Sequence, residues 1–204
     1  MGLYGRWILP RLLDWSMTGE PFARYRQQLL AEVEGEVLEI GFGTGLNLAH
    51  YPEAVSALTV IEPNPGMAAI AAPRIAQTSL PLTSRSLRGE NLDLPSSTFD
   101  YVVSTWTLCS IAGLDSALQE IHRVLKPQGR FVFVEHGLSP DPELQRWQHR
   151  LTPLQKRIAD GCHLDRAIAE AVRRQFSVVT CDEFYVEGLP RVGGYFYRGR
   201  AVKE

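Results

Sequence analysis

The chain has 204 residues, 45% hydrophobic and 22% charged, with a formal net charge of -2. That length suits one domain with a full core, and the near-neutral charge excludes a strong electrostatic footprint for nucleic acid. The three cysteines, Cys109, Cys162 and Cys181, are odd in number and far apart. This excludes a disulfide framework and a zinc-finger spacing, and is the usage of a reducing cytoplasm.

In chain order, two helix-compatible segments come first, about Leu3–Trp15 and Pro21–Glu34. The first is apolar and aromatic on one face and lacks a signal-peptide pattern. It reads as a lid over a substrate, as plain packing, or as a surface resting on a membrane. Glu36–Ile40 is a short apolar strand that stops at Gly41, and Leu46–His50 starts a helix. Ala57–Ile61 is a second strand, ending at Glu62. Pro65–Gln77 is a helix that Pro73 should kink or end, and Leu82–Leu87 is a weak strand.

Phe99–Thr105 is a valine-rich strand, and Leu114–Leu125 carries apolar residues at helical spacing. Lys126–Gly129 is a turn before the near-continuous apolar strand Arg130–Glu135, a pattern expected of a sheet covered on both faces. Helices follow at about Pro142–Ala159 and Asp165–Gln175, with Asp160 and Asp165 as candidate caps. The basic run Arg146, Arg150, Lys156, Arg157 reads as a solvated helix face. Val178–Val186 and Tyr195–Val202 are strands with no helix between them, so they should form an antiparallel hairpin at one edge. No stretch approaches the about 20 apolar residues that span a bilayer. The pattern is α/β: a doubly wound, Rossmann-like, mostly parallel sheet with an antiparallel C-terminal edge hairpin. The chain divides into N-terminal helices (1–34), a cofactor-binding core (35–137) and substrate-side helices with the hairpin (138–204).

The segment Val37–Asn47 carries the chemistry: a buried strand, a glycine turn with Gly41, Gly43 and Gly45, then a helix start. Glycines let a backbone approach a ligand closely. The dinucleotide fingerprint needs its third glycine three residues after the second, and position 46 is leucine. Glu39, just before the turn, would repel a pyrophosphate; it suits an ammonium group or an anchoring role. Glu62 ends the second strand, where a carboxylate can accept from both hydroxyls of a ribose. Gly89, Glu90 and Asn91 follow the third strand, where an adenine edge would lie. His136 ends the fifth strand, as a base, a substrate-orienting group or a structural residue. Asp160 and His163 sit in a polar linker, with a substrate-side role open to either. His163 and Asp165 are too sparse for a metal site, and no metal is expected.

With these segments in order, the chain resembles the class I S-adenosylmethionine-dependent methyltransferases of the type 11 kind. The matching segments are Val37–Asn47, Val60–Pro65, Leu94–Thr105 and Ile121–Glu135, covering about residues 35 to 137. The resemblance implies a seven-stranded sheet and S-adenosylmethionine as cofactor, with S-adenosylhomocysteine as product. It implies that Gly41, Gly43 and Gly45 wrap the methionine half of the cofactor, with Glu39 supporting the loop and Asn47 among the cofactor-binding residues. Glu62 would hold the ribose, Glu90 and Asn91 would border the adenine, Thr105 and Trp106 would cover the cofactor near the sulfonium, and Pro63 and Gly89 are among the cofactor-binding residues. Arg88 departs from the acid many members have at that position, which leaves the adenine contact on that side open.

Four patches also resemble the thiol S-methyltransferase branch. They are Leu108-Cys109-Ser110-Ile111, Phe133-Val134-Glu135-His136, Asp160-Gly161-Cys162-His163-Leu164-Asp165-Arg166 and Gly194-Tyr195. The acceptor implied is a small molecule, such as a thiol. Phospholipid and small-amine N-methyltransferases share much of the same core, and a cofactor-binding protein without turnover is the rival of another class. A nucleic-acid methyltransferase is disfavoured, because Ser104-Thr105-Trp106-Thr107 replaces the Asn/Asp-Pro-Pro-aromatic motif.

Overall fold

The computed structural model describes residues 2–204. A single seven-stranded sheet runs β3-β2-β1-β4-β5-β7-β6. Its strands are β1 (Gly35–Ile40), β2 (Val55–Ile61), β3 (Leu82–Arg85), β4 (Phe99–Thr105), β5 (Leu125–His136), β6 (Val178–Tyr185) and β7 (Tyr195–Val202). The pairs among β1 to β5 are parallel, and β7 is antiparallel to both β5 and β6. The seven-stranded mixed sheet and terminal hairpin are those expected from the sequence.

Period-two alternation places opposite faces of each strand in different cores. Leu38, Ile40, Phe131 and Phe133 enter one cluster, beneath α4 (Leu114–Val124) and α6 (Ile168–Gln175). Val37, Val132 and Val134 enter the other, with Leu29 and Leu30 of α2 (Phe22–Leu30) and Ala71 of α3 (Pro65–Gln77). Phe131 and Phe133 expose no surface, and each buried side chain of this size contributes about 1.5–3 kcal/mol.

Several local expectations are corrected. The N-terminal region forms a π-helical segment, Tyr4–Ile8, then α1 (Leu9–Thr18) and α2, which ends at Leu30 rather than Glu34. Leu46–His50 is a short 3₁₀ helix that stops at His50 rather than the start of a longer α-helix. The helix α3 continues through Pro73, where Ala71 and Ile75 on either side pack into the core and offset the lost hydrogen bond. The expected turn at Lys126–Gly129 is a kink inside β5: Gln128 adopts φ 66°, yet its N–H donates to the Lys203 carbonyl at 2.7 Å. Lys203 returns a bond to Gly129 at 3.0 Å, so ladder pairing with the chain end holds this segment in the sheet. Neither Asp160 nor Asp165 caps α6, whose preceding residue is Ala167. The acid that does cap a helix is Asp141, which accepts from the N–H groups of Glu143 and Leu144 at the start of α5 (Pro142–Ile158).

Candidate functional site

The strand order reverses between β1 and β4, and crevices form at such switch points. There the structure holds a cavity of about 770 Å³. Its floor is the glycine loop. Gly41 and Gly43 adopt φ 73° and 57°, a region most side chains avoid. A Cβ on Gly41 would stand 2.1 Å from the Thr107 side chain. A Cβ on Gly43 would meet only the Gly41 carbonyl oxygen, at 3.9 Å.

Acids fix this loop. Glu62 accepts from the Gly43 N–H at 2.8 Å and the Asn64 N–H at 2.7 Å. One lone pair per oxygen remains for a ligand. Burial pushes its carboxyl above the usual range. Glu39 is buried and does not line the cavity. It accepts from Asn47 Nδ2 at 2.8 Å and the Tyr51 hydroxyl at 2.6 Å, and Asn47 also donates to Thr105 Oγ1 at 3.1 Å. Burial holds the Glu39 carboxyl up at about 7. Its bonds go to two side chains rather than to the N–H groups of the loop.

The other expected residues divide. Pro63, Gly89, Glu90, Thr105, Trp106, His136 and Asp160 all line the cavity. Glu90 accepts from the Gly113 N–H at 3.2 Å. Asn91 is exposed, paired with Arg88 in an isolated bridge and outside the cavity lining, whereas Arg88 itself lines it. His163 also lies outside the lining and turns to Asp165 at 3.6 Å, which His149 reaches from the other side at 2.8 Å. Asp160 accepts a long 3.4 Å bond from Asn64 Nδ2 and raises the Glu62 carboxyl by its charge.

Two features were not read from the sequence. The first is Arg26, buried in the cavity wall, with its guanidinium 4.9 Å from the Trp106 ring centroid. Its Nη1 donates to the Met17 carbonyl at 2.7 Å, and its Nε is buried without a partner. Burial brings it down to about 10, against the attraction of Glu39. A cation on the same helical face as Phe22, Leu29 and Leu30 was the available signal.

The second is a trio. His136 Nε2 lies 2.9 Å from Cys162 Sγ, and Cys109 Sγ completes a cluster of donor atoms within 4.8 Å of one another. Hydrogen bonding from Cys109 draws the Cys162 thiol down and pushes Cys109 well above the usual thiol range. Burial lowers His136, but the Cys162 contact outweighs it and leaves the imidazole raised. Beneath them the Glu135 carboxylate is fully buried. It accepts from the Thr107 and Leu108 N–H groups and the Ser104 hydroxyl, each at 2.9 Å, and pins the loop that carries Cys109.

Comparison with known proteins agrees with this geometry. Residues 38–133 match the family described as methyltransferase domain. The chain is 38% identical over 151 residues to thiol S-methyltransferase TMT1B of Rattus norvegicus, covering 72% of this chain and 62% of that protein. It is 31% identical over 170 residues to phosphatidylethanolamine N-methyltransferase of Cereibacter sphaeroides, covering 81% and 80%. It thus spans about six tenths of the length of the thiol relative. Among solved structures, the N-methyltransferase NodS of Bradyrhizobium japonicum, in complex with S-adenosylhomocysteine, superposes with a TM-score of 0.68. Its identity is 18%, with 93% of this chain and 91% of that one covered.

Proposed function

The chain belongs to the S-adenosylmethionine-dependent methyltransferases, and on that premise we propose that it moves the cofactor's methyl group to a small thiol. The observation that carries this reading is the meeting of a glycine-floored cavity with two cysteines and a histidine on one wall. The residues present fit the cofactor. Gly43 leaves open space that a larger side chain would enter, Gly41 lets the loop pack against Thr107, Glu62 has free lone pairs for a ribose, and the unpartnered Arg26 Nε is a donor for a carboxylate. Asn47 completes the loop around the methionine half, Pro63 flanks the ribose, and Gly89 and Glu90 border the adenine; Gly45 lies outside the cavity lining, its α-carbon turned to the Phe42 ring, and shapes the loop from behind. The Asn91 assignment has no cavity contact in its support.

The bound cofactor supplies an electrophilic methyl on a sulfonium. The chain's own part is to align a nucleophile behind that methyl and exclude water. A thiol attacks well only as a thiolate. His136 and Asp160, both on the cavity wall, would orient the acceptor as its proton is lost. The N-terminal helices are a lid: Leu13, Met17 and Phe22 line the cavity. The opposite side of the same helices exposes Trp7, Leu12 and Trp15, which suits contact with an apolar or membrane surface. No helix among the described residues is long and apolar enough to cross a membrane.

The test is transfer of labelled methyl to a panel of alkyl thiols, with cofactor binding followed by calorimetry. Labelled thioether is expected. Binding without thioether, and label in phosphatidylethanolamine, would select the second reading. That reading is favoured by the longer coverage of the phospholipid enzyme.

A further inference from the structure

Cys109, His136 and Cys162 reach one point from three elements: the loop after β4, the end of β5 and the turn after α5. The cysteines are 2% and 6% exposed, and all three residues border the cavity. Their backbones are held independently of the side-chain contact. The His163 N–H donates to the Cys109 carbonyl at 2.9 Å, and the Cys162 N–H to Ala159 at 3.0 Å. Gly161 adopts φ 85°, and a Cβ there would meet the Ser110 carbonyl oxygen at 3.0 Å. The main chain that carries the two sulfurs is therefore held by the fold before any ligand arrives.

Two sulfurs and one imidazole nitrogen form the donor set of a three-coordinate site for a borderline-soft cation, with one position left open. A divalent ion would neutralise two thiolates in a setting where buried charge needs a partner. We propose that Cys109 Sγ, Cys162 Sγ and His136 Nε2 bind one zinc-type cation, whose open position faces the cavity and takes the acceptor as a thiolate. This rests on the thiol reading above. On binding, the acceptor's S–H proton leaves to solvent and its sulfur joins the metal. A sulfur electron pair then forms the new S–CH₃ bond, while the old C–S bond breaks and its electron pair neutralises the sulfonium. The neutral thioether is a weak ligand and leaves. No oxidant or reductant is required.

The experiment uses the full chain, reduced, stripped with chelator and titrated with cobalt(II) under anaerobic conditions. One equivalent should bind with strong thiolate-to-metal charge-transfer absorption and tetrahedral ligand-field bands, and zinc(II) should displace it. An alkyl thiol should then intensify the charge-transfer band. Cys109→Ser and Cys162→Ser should each lose part of that band and His136→Ala should weaken binding, while Cys181→Ser, on β6, should change nothing. Should a variant not fold, as judged by S-adenosylhomocysteine binding, X-ray absorption of the zinc-loaded wild type decides. Two sulfurs at about 2.3 Å and one nitrogen at about 2.0 Å are expected. Sub-stoichiometric uptake, octahedral bands, a shell without two sulfurs, or oxidation of the two thiols in place of uptake overturns the site. Thiol methylation by metal-free protein overturns the inference and leaves the thiol reading standing. Metal uptake without thiol methylation keeps the cation site and removes the thiol reading.

Discussion

The Glu39 carboxylate and the Asn47 side-chain amide meet at 2.8 Å, both buried, behind the glycine loop that floors the cavity. The bond fixes the residue that follows the loop and, through Thr105, ties β1 to the end of β4. The same acid is held up at about 7 by burial.

That elevation makes stability depend on pH. A carboxyl raised above its unfolded value binds its proton more tightly in the native state. Its contribution is whole below the unfolded value of 4.5 and is lost as pH rises toward about 7. The loss amounts to roughly 3 kcal/mol. Glu39→Gln should lower the slope of stability against pH in this window by up to about 1.4 kcal/mol per pH unit. Denaturant melts between pH 4.5 and 8 check it, and an unchanged slope assigns the dependence to another group.

Glu62→Ala removes the acceptor of two backbone N–H groups, at Gly43 and Asn64. Affinity for S-adenosylhomocysteine should fall by about 1–3 kcal/mol, roughly 5- to 150-fold. Calorimetry measures it. Unchanged affinity would mean that Glu62 serves neither loop nor ribose.

Gly41→Ala places a Cβ against Thr107 in a left-handed backbone. Strain alone should cost about 1–3 kcal/mol of stability, and cofactor binding should suffer with it. Adding Thr107→Ala should restore only part of the loss. It removes Oγ1 and Cγ2, each 2.1 Å from the new atom, but leaves a Cβ at 2.6 Å.

Asp14 on α1 pairs with Arg74 on α3 at 2.7 Å, and Arg74 also donates to the Thr44 carbonyl in the glycine loop at 2.7 Å. Asp14→Asn should cost little stability, about 0.2–1 kcal/mol, because the pair is partly exposed. It should loosen the N-terminal helices, raising their amide exchange and the KM for the acceptor more than it changes cofactor affinity. Exchange confined to its ordinary rate would separate α1 from the lid role.

Much of this was legible in the sequence. Strand periodicity and the missing helix between the last two strands gave the sheet and its hairpin, because registers follow from which residues must be buried. The glycine turn was legible because its left-handed backbone restricts which residues can stand there, and Glu62 because it closes the second strand beside that turn. The Cys109–His136–Cys162 cluster was not, because its members lie on three elements and only their packing brings them together. Asn91 and His163 were misleading for a related reason: position along the chain places a residue in a loop, not the direction in which its side chain leaves it.

The place of β7 has a consequence for synthesis. This strand, residues 195–202, lies inside the sheet between β5 and β6. Until it arrives, β5 presents a bare edge from Arg130 to His136, and β6 has no partner at all. Bare edges of this kind recruit other strands. A ribosome-bound chain thus carries the crevice between β1 and β4 beside an unfinished sheet, and a stalled product would be a client for chaperones.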